Sequence, residues 1–205
     1  MNLRRLFPTL CEIRDGLLKT GPLFLFRTDA ADELEATIPA ALRSFSVYWL
    51  TLPFGVASGW IFDRIYIAAY GVDKPLYFAY AVMGAILSAL FSIFLTFAIT
   101  RMEGLQANYP RYVVAMNWSS LWVVAVSVPL IALVQSGLLN KEQIAELGTG
   151  IFLVNLVYAW FFAWQALKVN PLVAMGVATA SMAPATVVGD FVGLRLYGVA
   201  RPFFE

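Results

Sequence analysis

Asn117, Ser119 and Ser120 place a carboxamide and two hydroxyls inside a stretch, Tyr112 to Leu139, that runs for 28 residues without a charge. Such groups donate and accept hydrogen bonds but do not move protons near neutral pH. Asn117 and Ser120 are three apart and share one helical face, and Ser119 lies on the neighbouring face. Asn117 sits six residues beyond Arg111, about 9 Å along a helix at roughly 1.5 Å per residue. Where no bulk water reaches, that carboxamide needs a partner. Two readings stand: a hydrogen bond to another helix, either the second-span stripe or Asn155, or a contact with a ligand. Asn117-Trp118-Ser119 also matches a glycosylation sequon, but an acceptor inside an apolar run is not on an exposed loop.

A second set lies upstream. Gly84, Ser88, Ser92, Thr96 and Thr100 recur every four residues and so line one face of a helix. Small residues let helices approach closely, and hydroxyls bond a neighbour or their own backbone. The stripe is therefore a packing seam or one wall of a polar path. Asn155 and Gln165 add carboxamides to the next apolar run but one, where Trp160 and Trp164 suit an interfacial anchor. Between Leu172 and Val188, Ala174, Gly176, Ala178, Ala180, Ala183 and Ala185 form a small-residue surface, and Pro184 frees a backbone carbonyl for a hydroxyl, a water or an ion. We take Ser88, Ser92, Thr96, Asn117, Ser120 and Asn155 as candidates for substrate binding or helix packing, and expect no catalytic or metal-binding residue.

The missing residue types narrow the chemistry further. The chain has no histidine, the commonest general base and metal ligand. Its one cysteine, Cys11, forms no intrachain disulfide and follows Thr9-Leu10, not the small residue that a lipoprotein site wants. No Ser/His pair, paired intramembrane aspartates, metal-ligand cluster or phosphate-cradling glycine loop is present. Asp63, Arg64, Asp73 and Glu103 read as solvated loop charges; the alternative is that they serve a lipid-handling enzyme. Enzymatic activity and a bound cofactor are not expected. A net charge of +1 offers no field to attract nucleic acid.

These residues need helices to hold them, and composition says in what medium. Of 205 residues, 60% are hydrophobic and 13% charged, with a mean hydropathy of +0.74. Soluble domains carry roughly 25% charged residues. An uncharged run of about 18 or more apolar residues is long enough to cross a bilayer. Five such spans are expected, at 44–62 (with Pro53), 75–100, 112–139 (with Pro129), 148–167 and 172–188, forming a transmembrane domain over 44–190. Each is free of Asp, Glu, Lys and Arg, whereas ion-coupled carriers usually bury one. Asn170-Pro171 turns the chain between the last two spans. No internal repeat is visible, and five spans do not divide into inverted halves.

Residues 1–43 form a mixed-charge region with six Lys/Arg and six Asp/Glu. Leu3, Leu6, Leu10, Ile13 and Leu17 recur at helical spacing, predicting a short helix over Pro8–Lys19, either on the membrane surface or packed on the protein's own loops. Gly21-Pro22 reads as a turn. Thr28-Asp29 reads as the cap of a second amphipathic segment running through Ile38. No cleavable signal peptide is expected, because Pro8, Glu12, Arg14 and Asp15 break the apolar stretch. Residues 191–205 read as an interfacial tail. With the N-terminus inside, nine Lys/Arg face the cytoplasm and five face outward, which predicts an inner N-terminus and an outer C-terminus.

The segment Arg111-Tyr112-Val113-Val114-Ala115-Met116-Asn117-Trp118-Ser119-Ser120 resembles one in uncharacterised inner-membrane proteins of alphaproteobacteria. The five-span outline over residues 44–190 is similar to the Yip family of membrane proteins. The resemblance implies a multi-pass protein of a bacterial inner membrane and transfers no functional residue. The expectation is an all-α polytopic membrane protein with short amphipathic surface helices before the first span. Its partners are the lipid bilayer and other membrane proteins or itself. Its role is that of a non-enzymatic scaffold or assembly partner; the alternative is a carrier or channel for a neutral or apolar small molecule.

Overall fold

A computed structural model describes residues 7–197 apart from 71 and 72; the side chains of residues 62–70, 141, 194, 196 and 197 are outside that description. Among the described residues the regular structure is all helical: α1 (Leu10–Phe24), a 3-10 turn (Ala30–Glu33), α2 (Ile38–Ser44), a second 3-10 turn (Phe45–Val47), α3 (Tyr48–Tyr70), α4 (Lys74–Met102), α5 (Tyr109–Gln135), α6 (Lys141–Leu167) and α7 (Pro171–Tyr197).

Local chemistry explains the boundaries. Thr9 and Glu12 form a reciprocal capping box at α1, and Asn140 and Gln143 do the same at α6. Thr37 accepts from the Ala40 N–H at the start of α2. Pro75, Pro110 and Pro171 sit in the first turns of α4, α5 and α7, where a missing N–H costs nothing. Asn170 caps α7 by accepting from the Leu172 and Val173 N–H groups.

Among the described residues, four helices are long and apolar enough to cross a membrane: Lys74–Met102, Tyr109–Gln135, Glu142–Leu167 and Pro171–Gly193. Their most apolar stretches have mean hydropathies of 2.3, 1.7, 1.6 and 1.6, yet no more than 22% of any of these stretches is buried inside the protein. Water does not tolerate that much contiguous apolar surface on a monomer, whereas lipid does. This supports an integral membrane protein.

Several boundaries differ from expectation. The third run ends as helix at Gln135, where Ser136 and Gly137 (φ 73°) turn the chain, rather than at Leu139. α6 begins at Lys141 instead of 148, so Glu146 is helical. α7 passes through Asp190 to Tyr197, so 191–197 is helix instead of tail, and an Asp190 carboxylate oxygen is buried without a hydrogen-bond partner among the described residues. Hydropathy marks lipid-facing surface, and backbone hydrogen bonding runs on past it. Gly21-Pro22 does not end α1: with no Cβ on Gly21 to clash with the proline ring, the helical conformation survives. After Asp29 only the four-residue 3-10 turn forms, with no side-chain cap. Leu3, Leu6 and residues 198–205, for which a surface helix and an interfacial tail are expected, lie outside the described residues, as do the side chains of Asp63 and Arg64.

The long helices close a ring: α7 packs on α4 and α6, α5 on α6 and α3, and α3 on α4. α1 and α2 lie against α5, and the 3-10 turn against α6. The best-buried apolar residues gather where this N-terminal cap docks. They include Leu23, Ala31, Val47, Ala115, Phe162 and Leu167. The core therefore sits at one end of the bundle.

Candidate functional site

The six candidate residues fall into three separate environments. Ser88, Ser92 and Thr96 lie on the α4–α7 seam and along α4 toward its end. α4 and α7 run antiparallel, with Gly84 facing Val188 and Val192; a Cβ on Gly84 would lie 3.5 and 3.4 Å from their methyls. Ser88 Oγ donates to the Pro184 carbonyl at 3.5 Å, and Ser92 Oγ donates to the Ser181 carbonyl. Further along, Thr96 Oγ1 donates to the Ser92 carbonyl at 2.7 Å and lies 3.1 Å from the Tyr109 hydroxyl. That hydroxyl in turn donates to Ile93 O at 2.9 Å. Thr100 bonds back to the Phe97 carbonyl. Each of these hydroxyls is thus engaged within the protein. The carbonyls used on α7 flank the proline break; the one freed by Pro184 belongs to Ala180.

Asn117 finds neither the stripe nor Asn155. Its Nδ2 donates to Ser44 Oγ at 2.8 Å, and Ser44 passes its own proton to the Ala41 carbonyl at 2.7 Å. Both side chains are buried. The knot in α5 therefore secures the end of α2, a partner with no helical periodicity to announce it. Ser120 donates to the Asn117 carbonyl at 2.6 Å, and buried Ser119 Oγ has no partner among the described residues.

Around Asn117 the cap is assembled from residues that spacing did not single out. Gly16 lies flat under Trp118: a Cβ there would be 2.4 Å from ring carbons, a distance real structures do not show. Gly21 meets the Trp122 ring in the same way, at 3.2 Å. α1 ends in a Schellman motif, with Phe26 N–H donating to Leu23 O and Arg27 N–H to Pro22 O. The left-handed position is held by Phe26 (φ 59°) instead of glycine. Its ring compensates by stacking on Tyr158 at 4.9 Å and meeting Phe161 edge-on at 5.0 Å. Phe24 stacks on the same tyrosine at 4.3 Å.

Two ionic contacts close the cap. Arg43 donates to both Glu12 oxygens, at 2.6 and 2.7 Å. Its guanidinium holds the Glu12 carboxyl down at about 2, against an upward push from burial and with help from Thr9. Asp32 accepts from Lys168 Nζ at 2.7 Å, and Arg111 Nη1 stands 3.9 Å away. Lys168 first, with Arg111 adding, holds the Asp32 carboxyl below its ordinary value. Asp32 thus joins the N-terminal region to the α6–α7 turn and to the start of α5.

Asn155 stands apart, facing a groove of about 460 Å³ between α5 and α6. Gln165 is buried near the Lys168 end, where Trp160 and Trp164 stack at 5.4 Å and Trp160 Nε1 donates to the Pro171 carbonyl. Among the described residues no cluster of His, Cys, Asp and Glu could hold a metal. No family model, curated protein or solved structure matches this chain.

Proposed function

We propose that this chain is a five-span protein of a bacterial inner membrane that works without catalysis, as a scaffold or assembly partner for other membrane components or for itself. One observation carries the reading. The polar residues do not surround a common cavity: the stripe is bonded along α4 and across a solid seam, and Asn117 is bonded to Ser44. A carrier needs its polar groups free to meet solute along a continuous path, and these are occupied. α3 supplies the fifth span. Its 23 residues measure about 35 Å at helical rise, against a hydrocarbon core of about 30 Å. The ionic contacts of Asp32 support an orientation in which the N-terminal cap, Arg111 and Lys168 share the cytoplasmic side and the C-terminus lies opposite.

The test is extraction in a mild detergent followed by light scattering and identification of co-purifying proteins. A defined oligomer or complex is expected. A monomer at every concentration, joined by neutral-solute flux in reconstituted vesicles that Asn117→Leu abolishes, would establish the carrier instead.

A further inference from the structure

α1 has two faces, and the protein covers only one of them. Gly16, Thr20 and Leu23 are buried on the side that meets α5. Leu18 and Leu25, seven residues apart and so on the opposite side, are 66% and 75% exposed. Phe26 adds a ring that is still 45% exposed after meeting Tyr158 and Phe161. The height of these residues fixes the medium they face. Gly16 lies under Trp118 and Gly21 beside Trp122, so α1 descends along α5 in the same direction. Trp118 is seven residues past Arg111, about 10 Å further into the bundle, and Trp122 is about 6 Å beyond that. α6 gives an independent measure: Phe26 meets Phe161, which lies seven residues, again about 10 Å, before Lys168. The chain then climbs back, because Asp32 bonds Lys168 and stands near Arg111. The hydrocarbon of one leaflet is about 15 Å deep, so a tip about 10 Å below these two cations lies inside it.

Charge is sorted along α1 in the same sense. Glu12, Arg14 and Asp15 occupy its first two turns, and beyond them only Lys19 is charged before Arg27. Glu12 is bonded to Arg43, and Arg14 to Asp15. Lys19 and Arg27 have apolar stems long enough to carry their charges up to the headgroups. Beside Tyr158, α6 turns half-exposed Val154 and Val157 outward, so lipid covering that face lies at the depth of Leu25 and Phe26. We infer that α1 is a re-entrant wedge: its C-terminal half, residues 16–26, is inserted into the leaflet on the cap's side, with acyl chains covering Leu18, Leu25 and Phe26. α1 therefore neither lies flat on the bilayer nor is shielded by the protein's own loops. The inference rests on the membrane reading above and is independent of the assembly role.

Two measurements on the full chain in phosphatidylcholine vesicles test it. The first leaves the chain unaltered. Phosphatidylcholine bearing a diazirine on its acyl chain is photolysed in the vesicles, and adducts are mapped by mass spectrometry after trypsin digestion. The peptide 20–27, released by cleavage after Lys19 and Arg27, should be labelled. If it is unlabelled while α4 is labelled, the inference is overturned. The second measurement reads depth. Cys11 is the sole cysteine, so Cys11→Ser chains carrying Leu10→Cys, Leu18→Cys, Leu25→Cys or Phe91→Cys take one nitroxide each. All four sites are exposed, so the label displaces no core. Oxygen, which partitions into hydrocarbon, should relax the label at Leu25 more than a water-soluble nickel chelate does. The preference should reverse at Leu10, with Leu18 between. Labels at Leu18 and Leu25 that prefer the nickel chelate put the wedge in water and overturn it. Labels shielded from both reagents put protein over the stripe and overturn it equally. Equal oxygen preference at Leu10 and Leu25 means a helix lying flat, which also overturns it. Phe91, on an exposed face of α4, is the control. If its label prefers the chelate too, the membrane reading itself has failed, whereas lipid at Phe91 with water at Leu25 sinks the wedge alone.

Discussion

At the α4–α7 seam the contacts are a glycine against two valines and serine hydroxyls on backbone carbonyls. At the cap, one glycine lies under a tryptophan ring, three aromatic rings share a stack, and two ionic contacts close the edges. The difference follows from the solvent. Within lipid there is no hydrophobic force between helices, so association depends on close approach and on any hydrogen bond the backbone can accept. The seam is accordingly repetitive, and its contacts are interchangeable. The cap includes water-accessible charge and buries aromatic surface, so it depends on a few particular groups.

The widest gap between the two regions should appear with Gly16→Val. The added side chain cannot coexist with Trp118, and we expect about 3 kcal/mol of lost docking, at the upper end of overpacking costs. Hydrogen exchange should then rise in residues 10–34 while α4 and α7 stay protected. A companion Trp118→Ala should restore part of the loss, and no rescue would show that the ring is not the obstacle.

Gly84→Leu tests the same principle in the seam, where the nearest atoms are movable valine methyls. Thermal unfolding in detergent should report about 1–3 kcal/mol. Asn117→Leu comes next, at about 1–2 kcal/mol. Its effect should be non-additive with Ser44→Ala, because the two remove one bond. Ser92→Ala should cost about 0.6 kcal/mol or less, since alanine preserves the close approach. If Ser92→Ala exceeded Gly84→Leu, hydroxyls and not volume would hold the seam, and the seam, like the cap, would depend on particular groups.

An effect of similar size is ionic. Glu12 has a depressed carboxyl in the folded protein, so its pairing with Arg43 contributes fully above the usual glutamate range and fades as pH falls from about 4.5 toward 2. The pair is about a third exposed, so solvent screening limits Glu12→Gln at neutral pH to about 0.2–1 kcal/mol. Proteolysis of the N-terminal region across that window should rise in the parent and stay flat in the variant.

Much of this architecture is written locally. The uncharged runs announce the spans, and the spacing of four from Gly84 to Thr100 announces a face that does pack closely in part. What spacing cannot convey is the identity of a partner. Nothing in the text around Gly16 names Trp118, because a glycine chosen for a ring looks like any other glycine. Asn117 advertised a need for a hydrogen bond, yet Ser44 lies in a junction between short helices with no period of its own. Gly21-Pro22 is turn chemistry in isolation and is overruled because glycine removes the steric objection. A charge at Asp190 reads as the exit of a span, and it says nothing of where helix α7 ends, which is at Tyr197.

The docking of α1 onto α5 has a consequence for biosynthesis. A polypeptide leaves the ribosome N-terminus first, at roughly 5–20 residues per second, so Gly16 waits on the order of 5–20 s before Trp118 has even been made. Asp32 waits longer still for Lys168. The earlier part of the chain is thus among the last to find its seat, and a product stalled before α5 carries a bare, clippable N-terminal region that the finished protein has tucked away.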